Sequence, residues 1–147
     1  MKTVQFEYGQ GYLEAELPDD ADVFIPGETI PDPQYLEDIE TETRNSIQNP
    51  IGMPPISELV GAGSKVTISF PDRVKGGFQE DSHRKTAIPI LIEECLKAGV
   101  NKEDILLICS NGLHRKNTEE EIRSILGDEV YQQFTPSHQI INHDSED

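Results

Sequence analysis

Two stretches of this chain share one order of features: a β-prone run, a polar loop and a helical pattern. The first begins with KVTISF at 65–70, and the second begins with ILLIC at 105–109. A continuous apolar run bounded by polar residues, as at 105–109, is typical of a strand covered on both faces of a parallel sheet. The loops after neighbouring parallel strands converge on one crevice at the carboxyl edge of the sheet. The sequence therefore predicts that residues far apart in the chain share one site.

Hydrophobic patterns along the rest of the chain complete an α/β fold. Residues 3–7 and 12–17 alternate apolar and polar residues around the turn sequence GQG, which predicts an antiparallel hairpin. The other predicted elements are helices at 34–48, 56–60, 82–98, 118–126 and 128–134, and a strand at 139–141. We therefore predict a Rossmann-like, mostly parallel sheet flanked by helices, with an N-terminal antiparallel hairpin. The length of 147 residues suits a single α/β domain over 1–147.

The net charge of the chain narrows its possible partners. Twelve Lys and Arg against 28 Asp and Glu give a formal charge of −16. This charge repels phosphate backbones and anionic lipid, so we expect neither a nucleic acid nor a membrane surface as partner. The sequence contains no apolar run of membrane-spanning length and no signal-peptide core, so we expect a cytoplasmic protein.

The possible metal ligands in the sequence form no known metal-binding spacing. Cys95 and Cys109 lie within apolar patterns, which favours buried thiols over a disulfide or a metal site. His138 and His143 lie in a polar C-terminal stretch, which is typical of solvated side chains. We therefore predict no metal ligand in this chain.

The basic residues are unevenly placed along this acidic chain. Residues 1–63 contain only Lys2 and Arg44. The bases that flank the two polar loops are Arg73, Lys75, Arg84, Lys85, Arg115 and Lys116. A local positive field of this kind can concentrate a small anion. The same side chains can equally be solvated partners of the many carboxylates, and the sequence leaves both interpretations open.

His114 is the main candidate for chemistry in the second loop. An imidazole titrates near neutral pH and can exchange a proton with a hydroxyl group. Arg115 can hold a carboxylate or a phosphate, or can point away. Asn111 and Gly112 permit a tight turn that aims backbone N–H groups at an anion. A histidine beside basic residues is also a common surface feature, so this pattern alone does not decide the role.

Asp72 is the main candidate in the first loop, directly after the predicted strand. Its carboxylate can accept a hydrogen bond from a ligand hydroxyl or orient Arg73, although aspartate is also common in turns. The pair Gly76-Gly77 predicts a loop that can close over a ligand. His83 and Arg84 belong to the same pocket if the next helix begins near Ser82.

Several ordered motifs together resemble the N-terminal domain of the nickel-dependent lactate racemase family. They are NPIG, a strand ending at Asp72, the helix sequence PILIEECLKAG, and NGLHRKNTEEEIRSILGDEV. The segment GLHRKNTEEE at 112–121 is similar to the family pattern G-[FL]-H-R-x-[STN]-T-x-x-E. The terminal NHDSED is similar to a branch of the same family. The resemblance covers about residues 49–147.

The resemblance implies racemisation or epimerisation of a small anionic 2-hydroxy acid by hydride transfer to and from a nickel-pincer nucleotide. In the family, paired histidines exchange the hydroxyl proton, and His114 matches one of them. Asp72 matches the aspartate of the family's Asp-x-Thr-Arg-Pro loop, which lies beside substrate and cofactor.

The first loop departs from the family pattern. It reads PDRVKGG at 71–77 and lacks Thr-Arg-Pro. Which of Arg73, Lys75 or Arg84 replaces the family arginine therefore stays open, as does the identity of the hydroxy acid.

The resemblance also implies that this chain is one part of a larger enzyme. The family's cofactor-bearing lysine, its second catalytic histidine and its nickel-ligating histidine belong to a region beyond residue 147. We therefore expect the N-terminal domain of a longer isomerase, inactive alone and partnered by the missing C-terminal part. The alternative is a natural short relative that acts as a non-catalytic small-anion-binding or protein-docking module.

Overall fold

The computed structural model describes residues 1–25, 27–75 and 82–146. The chain divides into two compact units, Met1–Tyr35 and Leu36–Asp147. The single domain over 1–147 therefore stays a prediction. The loop closure predicted at Gly76-Gly77 lies outside the described residues.

The first unit contains the predicted hairpin. Strand β1 (Lys2–Tyr8) pairs antiparallel with β2 (Gly11–Leu17), in a register that sets Lys2 opposite Leu17. Gly9 has a φ of +61°, which allows the tight turn between the strands. Among the described residues of this unit only Val4 is buried. The hairpin is therefore held mainly by its ladder of backbone hydrogen bonds.

The second unit contains the predicted parallel sheet. Its strands are β3 (Val66–Pro71), β4 (Ile105–Ser110) and β5 (Ile140–Asn142), in the order β3-β4-β5. Both pairings are parallel, with Val66 opposite Ile105 and Leu107 opposite Ile140. Together with the hairpin, this sheet confirms the predicted α/β class.

The helices follow the predicted order with shifted ends. They are α1 (Ile39–Gln48), α2 (Ile56–Leu59), α3 (His83–Lys97), α4 (Glu119–Leu126) and α5 (Asp128–Phe134). Single 3-10 turns lie at Arg73–Lys75 and Lys102–Asp104. No helix in the described part of the chain is long and apolar enough to cross a membrane.

Side-chain caps decide where two of these helices begin. Helix α1 begins later than predicted because Asp38 caps it, accepting a hydrogen bond from the Thr41 N–H at 3.0 Å. Helix α4 begins with a complete capping box between Thr118 and Glu121.

The core of the second unit lies on one face of the sheet. In β4, Ile105, Leu107 and Cys109 are buried, whereas Leu106 and Ile108 on the other face are half-buried. The prediction of a strand covered on both faces therefore holds for one face. The buried cluster contains Ile68, Phe70, Ile88, Ile92, Cys95, Val100, Ile105, Leu107, Cys109, Ile122, Ile125, Leu126, Val130 and Phe134.

Helix α3 carries a proline in its second turn. Pro89 has no N–H to donate to the Lys85 carbonyl four residues earlier. Ile88 and Ile92, on either side of this position, are nevertheless buried in the core. Packing of the apolar stripe therefore keeps the helix continuous through the proline.

Candidate functional site

Asp72 and His114 meet at the carboxyl edge of the sheet, as the convergence of the two loops predicts. The imidazole Nδ1 lies 2.5 Å from the Asp72 Oδ2. Asp72 is buried directly after β3, whereas the His114 side chain is 45% exposed. A carboxylate accepts hydrogen bonds, so the neutral imidazole carries its proton on Nδ1 and leaves Nε2 as the acceptor. Such a pair can take up and release a proton on its exposed side.

The backbone around Asp72 forms a short turn that fixes the carboxylate. The Val74 N–H donates to Asp72 Oδ1 at 3.2 Å, and the Lys75 N–H donates to the Asp72 carbonyl at 3.3 Å. These two contacts are typical of an aspartate that organises its own turn. One carboxylate oxygen therefore serves the turn, and the other meets His114.

Arg84 is buried and holds the same turn from α3. Its Nη1 donates to the carbonyls of Pro71 at 3.2 Å and Asp72 at 3.1 Å, and its Nη2 donates to the Lys75 carbonyl. Burial lowers the pKa of the guanidinium, and the nearby Cys109 and Asp72 partly offset this effect. The guanidinium therefore faces loop carbonyls, and its predicted role in ligand binding stays a prediction. Lys75 itself has an exposed side chain.

Arg115 and Arg73 both contact Glu121 at the start of α4. The Arg115 guanidinium donates to the two Glu121 carboxylate oxygens at 2.7 and 2.9 Å. Arg73 Nε lies 3.4 Å from the same carboxylate. The Arg115 hydrogen bond, followed by that of the Thr118 N–H, lowers the pKa of Glu121 to about 2. A carboxylate of the chain itself therefore occupies the position that an anionic ligand of Arg115 was predicted to take.

Asn111 is buried in a network of three asparagines. Its Nδ2 donates to Asn142 Oδ1 at 2.8 Å and to the His143 carbonyl, and its Oδ1 accepts from Asn117 Nδ2 at 2.7 Å. Gly112, next to it, is exposed and has a φ of +60°. The Asn111 side chain thus bonds other groups of the chain, and its predicted place in the ligand crevice stays a prediction.

Sequence reasoning missed Asn117 and Asn142. Asn117 ends the polar loop after β4, and Asn142 lies at the end of the short strand β5. A usable signal was the position of Asn117 immediately before the capping box of α4, where a side chain is held close to the sheet edge. Their contacts with each other, however, depend on how β4 and β5 pair.

Cys109 lies beneath this network at the end of β4. Burial, and then the charge of Asp72, raise the pKa of the Cys109 thiol to about 11. The thiol is therefore neutral near pH 7 and unreactive. Both cysteines are free and buried, as predicted.

The remaining candidate side chains are exposed. His83 is exposed in the first turn of α3, and His143 is exposed after β5. Within residues 1–25, 27–75 and 82–146, no three His, Cys, Asp or Glu side chains lie close enough to hold a metal ion.

The fold and the site together define a class: an α/β domain with an acid and an imidazole paired at the carboxyl edge of a parallel sheet. A family model described as the lactate racemase N-terminal domain matches residues 8–147. The chain therefore belongs to the lactate racemase N-terminal domain family, which confirms the resemblance found in the sequence. No curated protein matches the chain.

The fold is also similar to a solved structure, that of the lactate racemase apoprotein from Thermoanaerobacterium thermosaccharolyticum. The two share 21% sequence identity with a TM-score of 0.61, over 98% of this chain and 30% of that chain. At this identity the likeness shows the fold alone. This chain thus spans less than a third of the length of the solved racemase chain.

Proposed function

We propose that this chain is the N-terminal domain of a nickel-pincer-nucleotide-dependent racemase or epimerase of small 2-hydroxy acids. It contributes one acid/base histidine, His114, and part of the crevice for substrate and cofactor. The observation that carries this proposal is the 2.5 Å contact between His114 Nδ1 and Asp72 at the carboxyl edge of the sheet. Membership of the lactate racemase N-terminal domain family supports the reaction class.

In this proposal His114 handles the proton of the substrate hydroxyl. With Nδ1–H donated to Asp72, the Nε2 lone pair of this half-exposed ring accepts the hydroxyl proton. The buried Asp72 carboxylate stabilises the imidazolium that forms, and the ring then returns the proton to the oxygen. Asp72 thus fixes both the tautomer and the orientation of the ring.

The described residues support proton transfer, and the Asp72–His114 pair is the group that carries it. They contain no cluster of three ligand side chains, so no residue described here is assigned to nickel. The nickel-pincer nucleotide, when bound, supplies the acceptor for the hydride of the substrate carbon. Its attachment lysine and nickel ligand are proposed to lie in the missing C-terminal part of the enzyme, which is the proposed partner of this domain.

The substrate carboxylate is proposed to bind at the basic side of the crevice. Arg73 follows Asp72 directly and contacts Glu121 only through Nε, and Lys75 is exposed in the same turn. These two side chains are better placed than Arg84, whose guanidinium faces loop carbonyls. Asn111, Gly112 and Arg115 are proposed to shape the wall of the crevice. The acidic charge of the chain supports an enzyme that binds neither nucleic acid nor membranes, and we propose that it is cytoplasmic.

The test is the turnover of a 2-hydroxy acid by the full-length enzyme carrying its cofactor. Loss of a positioned acid/base group typically costs about 10² to 10⁴ in rate, so we expect His114→Ala to lower kcat by about that factor. His138→Asn is the matched control, because His138 is exposed before β5 and has a φ of +56°, which asparagine tolerates. Unchanged turnover in His114→Ala would refute the assigned role.

A further inference from the structure

Asn117 joins the two loops that carry Asp72 and His114. Its Oδ1 accepts from the backbone N–H of Arg73, the residue after Asp72, at 3.4 Å. Its Nδ2 donates to Asn111 Oδ1 at 2.7 Å. The Asn111 carbonyl in turn accepts from the His114 N–H at 3.1 Å. One buried amide group therefore connects the first loop to the turn that presents the histidine.

The position of Asn117 is itself fixed by Asn142 at the end of β5. The Asn117 N–H donates to Asn142 Oδ1 at 3.3 Å, and Asn142 Nδ2 donates to the Asn117 carbonyl at 2.6 Å. The backbone of Asn117 is thus held on both sides, and its side chain is 6% exposed. The three strand ends of the sheet are linked through this one residue.

The orientation of the Asn117 amide follows from its partners. Arg73 offers an N–H, which only the amide oxygen can accept, and the Asn111 oxygen requires an N–H donor. A flipped amide would place donor against donor and acceptor against acceptor. The side chain therefore has one favourable orientation, which joins the two loops in one register.

The histidine needs such a support because packing does not hold it. The His114 side chain is 45% exposed, and Leu113 and Arg115 beside it are exposed as well. A close contact between Nδ1 and the Asp72 carboxylate requires that the two loops stay in register. The buried contacts of Asn117 with Arg73 and Asn111 hold the two loops in this relative position.

We infer that Asn117 is a positioning residue that holds His114 in the tautomer with Nδ1–H directed to Asp72 and Nε2 free. This inference rests on the proposed function, since it explains how the proposed acid/base group is kept ready. Asn117 touches neither reacting atoms nor the imidazole, so its effect passes through Arg73 and Asn111.

The experiment measures the tautomer of His114 by ¹⁵N NMR on the labelled 147-residue chain, with the His114 signal identified by its loss in His114→Gln. We expect the Nδ1–H form to dominate in the wild type. In Asn117→Ala we expect a loss of this preference and a rise of the Nε2–H form. Asn101→Ala is the matched control, because Asn101 is exposed before β4 and its side chain bonds Asp104. In this variant we expect the His114 tautomer signal of the wild type.

A second variant, Asn117→Asp, separates the loss of a hydrogen bond from the loss of side-chain packing. Asn117→Asp has the same shape and keeps an acceptor for Arg73, but it places an oxygen against Asn111 Oδ1, so the same tautomer change is expected. Asp72→Asn gives the reference spectrum for a histidine without its carboxylate. In the full-length enzyme, Asn117→Ala is expected to lower kcat by a larger factor than it raises KM, because proton transfer depends on the tautomer of His114, whereas Arg73 loses one backbone contact.

The outcomes separate this inference from the proposed function. A folded Asn117→Ala or Asn117→Asp chain that keeps the wild-type tautomer would overturn it, and so would failure of both variants to fold, since Asn117 would then serve the fold alone. If the tautomer changes as expected but His114→Ala turns over normally, only the proposed function fails.

Discussion

The two units of this chain are built by different forces. In the hairpin unit, Met1–Tyr35, seven residue pairs align in register, yet Val4 is the only buried residue that the structure describes there. In the unit from Leu36 onward, fourteen buried residues form one cluster against a single face of the sheet. The comparison shows that a complete ladder of backbone hydrogen bonds does not by itself make a core.

The aromatic residues make the contrast sharper. The large exposed aromatic side chains of the hairpin unit are Phe6, Tyr8, Tyr12, Phe24 and Tyr35. In the other unit, Phe70 and Phe134 are buried. Isolated two-stranded hairpins are marginally stable in water, so we expect the stability of the chain to lie mainly in the sheet unit.

The largest expected effect comes from a leucine in the centre of the sheet. Leu107 is fully buried, and Leu107→Ala should lower the free energy of unfolding by about 3 to 4 kcal/mol, through lost burial and a cavity. Leu13→Ala in the hairpin is the matched control, because Leu13 is 52% exposed, and its effect should be below about 1 kcal/mol. Urea unfolding of both variants measures the difference. An equal loss of unfolding free energy in both variants would contradict the conclusion that stability lies mainly in the sheet unit.

The second prediction tests whether the buried hydrogen bonds of Arg84 also contribute to the stability of the sheet unit. Arg84→Gln leaves carbonyls of the Asp72 turn without their donor, which should cost about 2 to 3 kcal/mol. Arg123→Gln is the control, since Arg123 is exposed and pairs with Asp128, and its effect should be below about 1 kcal/mol. Thermal or urea unfolding distinguishes them. If both variants lose the same small amount, Arg84 does not stabilise the turn.

The smallest expected effect concerns the ion pair between Arg115 and Glu121 at the start of α4. The pKa of Glu121 is lowered from 4.5 to about 2, so its charge stabilises the folded chain above pH 4.5. That contribution is lost as the pH falls through about 2. Glutamine keeps the capping geometry but not the charge.

The test compares stability as a function of pH in wild type and Glu121→Gln. The difference in unfolding midpoint should be largest above pH 4.5 and should disappear as the pH approaches 2. Glu120→Gln, on the same helix turn and exposed, is the control for a general loss of negative charge. A difference that grows toward acid would contradict the assigned pairing with Arg115.

Those parts of the fold that depend on local patterns were predictable. The GQG turn fixed the hairpin, and the capping box fixed the start of α4, because both are decided by neighbouring residues. The meeting of Asp72 and His114 was also predictable, because loops after adjacent parallel strands share one edge. The start of α1 was missed because the cap at Asp38 outweighed the apolar pattern from residue 34.

The partners of the polar side chains were not predictable from type and spacing. Arg84, Arg115 and Asn111 were predicted to bind a ligand, which stays a prediction, and their contacts with other groups of the chain were not foreseen. Which donor meets which acceptor is set by the pairing of β4 with β5 and by the packing of α3, and both involve residues distant in sequence. Asn117 was missed for the same reason.

The proline within α3 has a mechanical consequence for the crevice. Since Pro89 donates no hydrogen bond to Lys85, the first turns of α3 are joined to the rest of the helix by one rung fewer. Arg84 lies in that first turn and grips the carbonyls of the Asp72 loop. A tilt of these turns about the proline would therefore move the Asp72 loop, and with it the carboxylate that meets His114.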